Sequence, residues 1–117
     1  MGSEEVRRSR AAPRPFALRQ NGRVNVENDS AQQRFFVQLP EGTGELQYRG
    51  LPPRTLELVH TEVAPGLRGR GVGDALAAAA MAYARAEKLS IVATCPFVRR
   101  WLDKHPEHQN LLVAAPR

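Results

Sequence analysis

Cysteine is almost absent from the chain. Cys95 is its one thiol, which excludes an internal disulfide framework and with it the small secreted fold stapled by cross-links. No apolar run approaches the roughly 20 residues that a membrane-spanning helix needs, and no secretory leader pattern opens the sequence. An intracellular protein, cytoplasmic or nuclear, with no membrane contact is therefore expected. Acid is also scarce relative to base, 12 Asp+Glu against 17 Lys+Arg, for a formal charge of +5. The excess is local, because Arg7, Arg8, Arg10, Arg14 and Arg19 face only Glu4 and Glu5 within residues 1–20 and supply +3 of that total. A basic arm joined to a nearly neutral globule does not read as a polyanion-gripping domain, so nucleic acid is not expected as a partner.

What is present fits one domain. At 117 residues a single core hides roughly two-thirds of the unfolded surface. Residues 1–20 mix arginine, Pro13, Pro15 and small residues without apolar periodicity, and read as a disordered arm. The arginine enrichment also fits a mitochondrial presequence, against which Glu4 and Glu5 count. Residues 21–117 read as the folded domain. Alternating segments at Arg23–Glu27, Arg34–Leu39 and Glu45–Arg49 are separated by Asn28-Asp29-Ser30 and by Glu41 to Gly44, and Leu51-Pro52-Pro53 precedes a longer run from Thr55 to Val63. These predict three hairpin-connected strands and a fourth. The period then changes. Val72, Leu76, Ala79, Tyr83 and Ala86 form one helical stripe within Val72–Leu89, and the run of alanines from Ala75 adds helix propensity. Ile91–Cys95 predicts a fifth strand, parallel to the fourth across the intervening helix. Phe97–Lys104 predicts a short second helix.

The strongest local signal is Arg68-Gly69-Arg70-Gly71-Val72-Gly73, between a long strand and an amphipathic helix. Alternate glycines let the backbone approach a ligand closely, and the first amides of the helix point outward without partners. Such a turn is a cradle for an anion such as pyrophosphate, with Arg68 and Arg70 adding charge-assisted bonds. The plain alternative is a glycine-rich turn with exposed arginines. A Walker loop is excluded because Asp74 follows Gly73 and no lysine is present. The dinucleotide fingerprint fails because the required third glycine is Asp74 or Leu76. An arginine–glycine nucleic-acid tract would be longer and not run straight into a helix.

Arg68-x-x-Gly71-x-Gly73 resembles the acetyl-CoA pyrophosphate motif of the GNAT superfamily of N-acetyltransferases. Together with Leu58-Val59-His60-Thr61-Glu62-Val63, Thr94-Cys95 and His105-Pro106, it is similar to the small single-domain members that lack the usual N-terminal helices. The resemblance runs from about Arg23 to Leu112. It implies a minimal α+β GNAT fold: a mixed, mostly antiparallel sheet with splayed parallel fourth and fifth strands, and two helices. It also implies acetyl-CoA as cosubstrate, held by Val63, Arg68, Gly69, Arg70, Gly71, Val72 and Gly73, an amine acceptor, and a monomer; no metal is called for. The sequence departs from the family pattern at Ala64, where proline is usual, at Asp74, where a basic residue is common, and at Trp101, where a tyrosine often stands.

In such a reaction an amine attacks a thioester. Neutralising a lysine-type amine of pKa about 10.4 near pH 7.4 costs about 4 kcal/mol, at 1.36 kcal/mol per unit. A base is needed, amides of the fourth strand polarise the carbonyl in this family, and the departing thiolate needs a proton. Strand alternation puts Glu57, Val59, Thr61 and Val63 on one face and Leu58, His60 and Glu62 on the other, unless a bulge intervenes, as is common in GNAT proteins. His60 is favoured as base because imidazole titrates near 6.5, with Glu57 second because its offset from Arg68 matches the carboxylate base of the histone-acetylating members. A hydrogen-bonded structural histidine is the competing reading for His60, and a solvated strand residue the preferred one for Glu62. Cys95, at the end of the fifth strand, is read as an acyl acceptor, as an acid toward the CoA sulfur, or as a small packed residue. Phe97 and Trp101 are expected to pack the last helix on the sheet or wall the cofactor channel, and Arg99, Arg100 and Lys104 to form a solvated face or meet phosphates. An acetyl-CoA-binding module with little catalysis is the runner-up function.

Overall fold

The computed structural model describes residues 24–113; the basic arm, and Arg23 of the expected first strand, lie outside them. The described chain runs β1 (Glu27–Asp29), β2 (Arg34–Leu39), β3 (Gly42–Leu51), β4 (Thr55–Val63), a 3-10 turn (Pro65–Leu67), α1 (Val72–Glu87), β5 (Ser90–Ala93), α2 (Pro96–Asp103) and a 3-10 segment (Pro106–Leu111). One five-stranded sheet has the order β1-β2-β3-β4-β5. Its first three junctions are antiparallel and the β4–β5 junction is parallel. The α+β architecture read from the sequence is the one found.

The hairpins shift relative to expectation. Val24 and Val26 are buried, but the ladder forms over Glu27–Asp29, so Asn28 and Asp29 belong to the strand and not to the turn. Asp29 Oδ1 accepts the Gln32 amide at 3.2 Å and thereby moves the turn to the residues that follow. Between β2 and β3 the connection is only Pro40-Glu41, because Gly42 takes a positive φ of 147° and pairs at once with Leu39. Thr43 and Gly44, expected in the turn, are therefore strand residues.

Helix α1 begins at Val72 as expected and buries Val72, Leu76 and Ala79, but also Ala75, Ala77, Ala80, Met81 and Ala84. Ala86 is exposed, contrary to the predicted stripe. Alanine admits burial on two sides here. The sheet lies beneath the helix, and the C-terminal 3-10 segment ties to its flank through Arg85, which donates to Glu107 O at 2.8 Å and Asn110 Oδ1 at 3.1 Å. The helix stops two residues before Leu89. Lys88 adopts φ 58°, and the Arg54 guanidinium donates to the carbonyls of Glu87 and Lys88, a cation on the negative helix end.

Two irregularities position the site. Gln47 pairs with His60 but its neighbour Tyr48 pairs with Leu58, so Val59 is an extra residue, a bulge that resets the alternation. β5, meanwhile, is short. The parallel ladder ends at Leu58–Ala93, and Leu58 O then accepts both the Thr94 and Cys95 amides at 3.1 and 3.0 Å. Pro96 opens α2 at that point, while β4 continues to Val63 paired only with β3.

Candidate active site

The bulge decides which β4 side chains look where. Cross-strand partners point to the same face, so Leu58, opposite Tyr48, and Thr61 and Val63, opposite Leu46 and Gly44, lie on the helix-bearing face. Glu57, His60 and Glu62, opposite Arg49, Gln47 and Glu45, lie together on the open face. Without Val59 as an extra residue, Glu57 and His60 would be on opposite sides. Ala64 N donates to Thr43 O at 3.1 Å. Antiparallel alternation then turns the His60 and Glu62 amides to β3 and the Thr61 and Val63 amides to the gap left by β5.

A cleft of about 790 Å³ opens on the helix-bearing side. Its lining runs from Thr61 and Val63 at the fork, past Arg68, Gly69, Gly71, Val72 and Gly73, to a far wall of Asp74, Phe97, Arg100, Trp101, Lys104 and His105. Gly71 is the N-cap of α1 with φ 78°, a conformation strained for any residue bearing a Cβ. The first intrahelical bond runs from Ala75 N to Gly71 O at 3.0 Å, so the preceding amides of the turn have no helical acceptor. A Cβ built on Gly69, also at φ 78°, meets nothing within 4 Å. The donor set of free amides, Arg68, Arg100 and Lys104 around open space fits a diphosphate-bearing ligand. Among the described residues no helix is long and apolar enough to cross a membrane, and no cluster of metal-ligating side chains forms.

The structure distributes the predicted site residues over four places. Val63, Arg68, Gly69, Gly71, Val72 and Gly73 line the cleft. Arg70 does not: its Nη1 pairs with Glu41 Oε1 at 3.2 Å, and that contact holds the Glu41 carboxyl below the usual range, after the larger effect of a backbone hydrogen bond. Cys95 is buried at 2% exposure and is absent from the lining, but its Sγ lies 3.3 Å from Thr61 Oγ1, which does line the cleft. His60 is exposed on the open face, with Nε2 3.8 Å from Glu62 Oε1. Glu57 is nearly buried there. It accepts from Thr94 Oγ1 at 2.5 Å and from Arg49 Nη2 and Nε at 2.8 and 3.0 Å. The Thr94 hydroxyl first, and then the Arg49 guanidinium, hold its carboxyl below the usual range, the opposite of what a base working near neutrality requires.

Thr61 was not singled out by sequence reasoning, although strand alternation puts it on the face of Val63. The two unusual residues Asp74 and Trp101 turn out to be one unit. Trp101 Nε1 donates to Asp74 Oδ1 at 2.6 Å, the indole stacks on His105 at 3.8 Å between centroids, and His105 Nδ1 donates to Trp101 O at 2.7 Å. Of the C-terminal cations, Arg100 and Lys104 reach the cleft, whereas Arg99 Nη1 points to Ala93 O.

Comparison with known proteins agrees with this geometry. The family profile described as GCN5-related N-acetyl-transferase matches residues 34–111. Protein NATD1 of Mus musculus is 34% identical over 99 residues, covering 83% of this chain and 90% of that protein. Protein NATD1 of Homo sapiens is 33% identical over 97 residues, covering 81% and 86%. The NMR solution structure of a GCN5-like protein from Staphylococcus aureus superposes with a TM-score of 0.62 at 26% identity, covering 79% of this chain and 90% of that one. With the profile spanning β2 to β5, the fork and the cleft wall, the chain belongs to the GCN5-related N-acetyl-transferase family.

Proposed function

We propose that the protein transfers an acetyl group from acetyl-CoA to an amine, with the cosubstrate in the cleft and the acceptor approaching from the open face. The observation that carries this reading is the continuity of the cleft from the amide end of α1 to the fork between β4 and β5. Acetyl-CoA, when bound, supplies an activated acyl group on a thiol leaving group. The α1 amides from Gly71 to Gly73, with Arg68, Arg100 and Lys104, hold its phosphates, and Phe97 and Trp101 wall its arm. The Thr61 and Val63 amides donate toward the acyl oxygen. His60 takes the amine proton, and the neighbouring Glu62 carboxylate stabilises the imidazolium. Glu57, committed to Thr94 and Arg49, positions the end of β5. Cys95 Sγ contacts Thr61 Oγ1, through which the thiol proton passes to the departing CoA thiolate, and the proton taken up by His60 is returned through solvent to restore the thiol.

Calorimetry with CoA and free-thiol release from acetyl-CoA with polyamine and lysine-peptide acceptors test this. Binding together with acceptor-dependent thiol release is expected. No heat with CoA ends the cofactor assignment, and binding without thiol release to any acceptor leaves a cofactor-binding module with no transferase activity.

A further inference from the structure

The far wall of the cleft carries a feature that acetyl transfer does not require. Asp74 sits in the first turn of α1 and lines the same cleft as the free amides, so a diphosphate held by those amides meets a carboxylate of like charge. The Trp101 indole anchors that carboxylate at 2.6 Å and itself carries no charge. Beside the cations Arg68, Arg100 and Lys104, His105 can offset the repulsion. Its ring is stacked on the indole at an interplanar angle of 13°. Because a carbonyl only accepts, the contact of Nδ1 with Trp101 O at 2.7 Å places a proton on Nδ1 in either charge state. Nε2 is then the atom that titrates, and it lies 4.0 Å from Asp74 Oδ1 on the cleft wall.

Resting on the cofactor reading above, we infer that His105 is a proton-linked phosphate anchor: binding of a diphosphate ligand in the α1 cleft draws a proton from solvent onto His105 Nε2. In the neutral ring Nε2 has no hydrogen to offer; once protonated, the same nitrogen carries one N–H for the ligand and a positive charge beside the Asp74 carboxylate. The cations Arg68, Arg100 and Lys104 line the cleft with it; they oppose a further charge in the free protein, and a bound anion removes that opposition. His108 stacks on the same indole and adds no such charge, because burial first, and then Arg85, hold its imidazole below the usual range, with Glu107 acting against them. Asp74 and Trp101 thus become one device: Trp101 fixes Asp74, and Asp74 with the ligand makes His105 a cation.

The test is calorimetric titration of the full chain at pH 7.5 with 3′-dephospho-CoA, whose diphosphate has no group titrating near neutrality, in Mops, Hepes and Tris. The dependence of the heat on buffer ionisation enthalpy gives the number of protons exchanged. The wild type is expected to take up about half a proton per ligand, and its Kd to rise about fivefold from pH 6.5 to 8.5. His105→Asn keeps a donor for the Trp101 carbonyl but cannot titrate. It should bring the uptake close to zero and flatten the pH profile, and His105→Gln serves the same purpose should the first variant not fold. Equal uptake in wild type and variant overturns the role of His105 while leaving the cofactor site in place. Absence of heat with CoA itself overturns both.

Discussion

The two halves of β4 are made from similar residues and do different work. Before the bulge, Thr55–Leu58 is paired on both edges, with β3 and β5, and Leu56 and Leu58 are core. After it, His60–Val63 is paired on one edge only, and its other edge faces the cleft mouth. A residue in the first half is held by packing and two ladders. One in the second half has a backbone amide or a polar side chain left over for a ligand. One inserted residue, Val59, lies between a segment paired on two edges and one paired on a single edge, and brings Glu57 and His60 to the same face.

The comparison breaks if truncation costs the same in both halves. Leu58→Ala, at a fully buried position whose carbonyl accepts two amides beyond the fork, should destabilise by about 3 kcal/mol. Denaturant unfolding measures it. An exposed second-half change such as Glu62→Ala should stay within about 0.5 kcal/mol. A Leu58→Ala loss under about 1 kcal/mol would mean that the first half is not the anchor.

The next largest effect belongs to chemistry. His60→Gln should lower turnover about a hundredfold with little change in the KM for acetyl-CoA, because the imidazole stands on the open face, away from the cleft lining. Unfolding midpoints should not move, since the side chain is more than half exposed. A rise in KM with unchanged turnover would remove the proposed base.

Thr61→Val sharpens the contrast within the second half itself. The substitution keeps the shape of the side chain and removes the hydroxyl that contacts Cys95. About a tenfold loss of turnover is expected, matched by Cys95→Ala, with the double variant no worse than either, because both act through one proton path. Additive losses would show that thiol and hydroxyl act separately.

How much of this was legible follows from what each feature depends on. The limits of β2 and β4, the start of α1 at Val72 and the parallel entry of β5 depend on local alternation, turn residues and helix period, and these stand in the sequence. The bulge at Val59 does not, because Glu57–Val63 alternates equally well in either register; only the pairing of Gln47 with His60 and Tyr48 with Leu58 selects one. The 3-10 segment from Pro106 carries no periodicity to read. The Asp74–Trp101 bond joins residues 27 apart and depends on how α2 lies across the mouth of α1. Arg70 looked like a cradle cation because of its neighbours, yet the short Pro40-Glu41 turn brings Glu41 close enough to pair with it.

The smallest effect tests the seam between the halves, where Glu57 joins β4 to the end of β5. Its carboxyl is held below the usual range, first by the Thr94 hydroxyl and then by Arg49. A group whose folded pKa is depressed stabilises the fold above its unfolded value and loses that contribution as the pH falls through the folded one. Thr94→Val removes the larger cause, so it should destabilise by about 1 kcal/mol at pH 7. The difference from wild type should shrink by more than half once the pH has fallen through the depressed folded value, where the carboxyl is protonated in both proteins. Guanidinium melts of the two proteins in steps from pH 7 down to pH 2 decide the matter. An undiminished gap at the lower pH would assign the Thr94 contribution to backbone packing at the end of β5, and the seam would then be held by shape and not by charge.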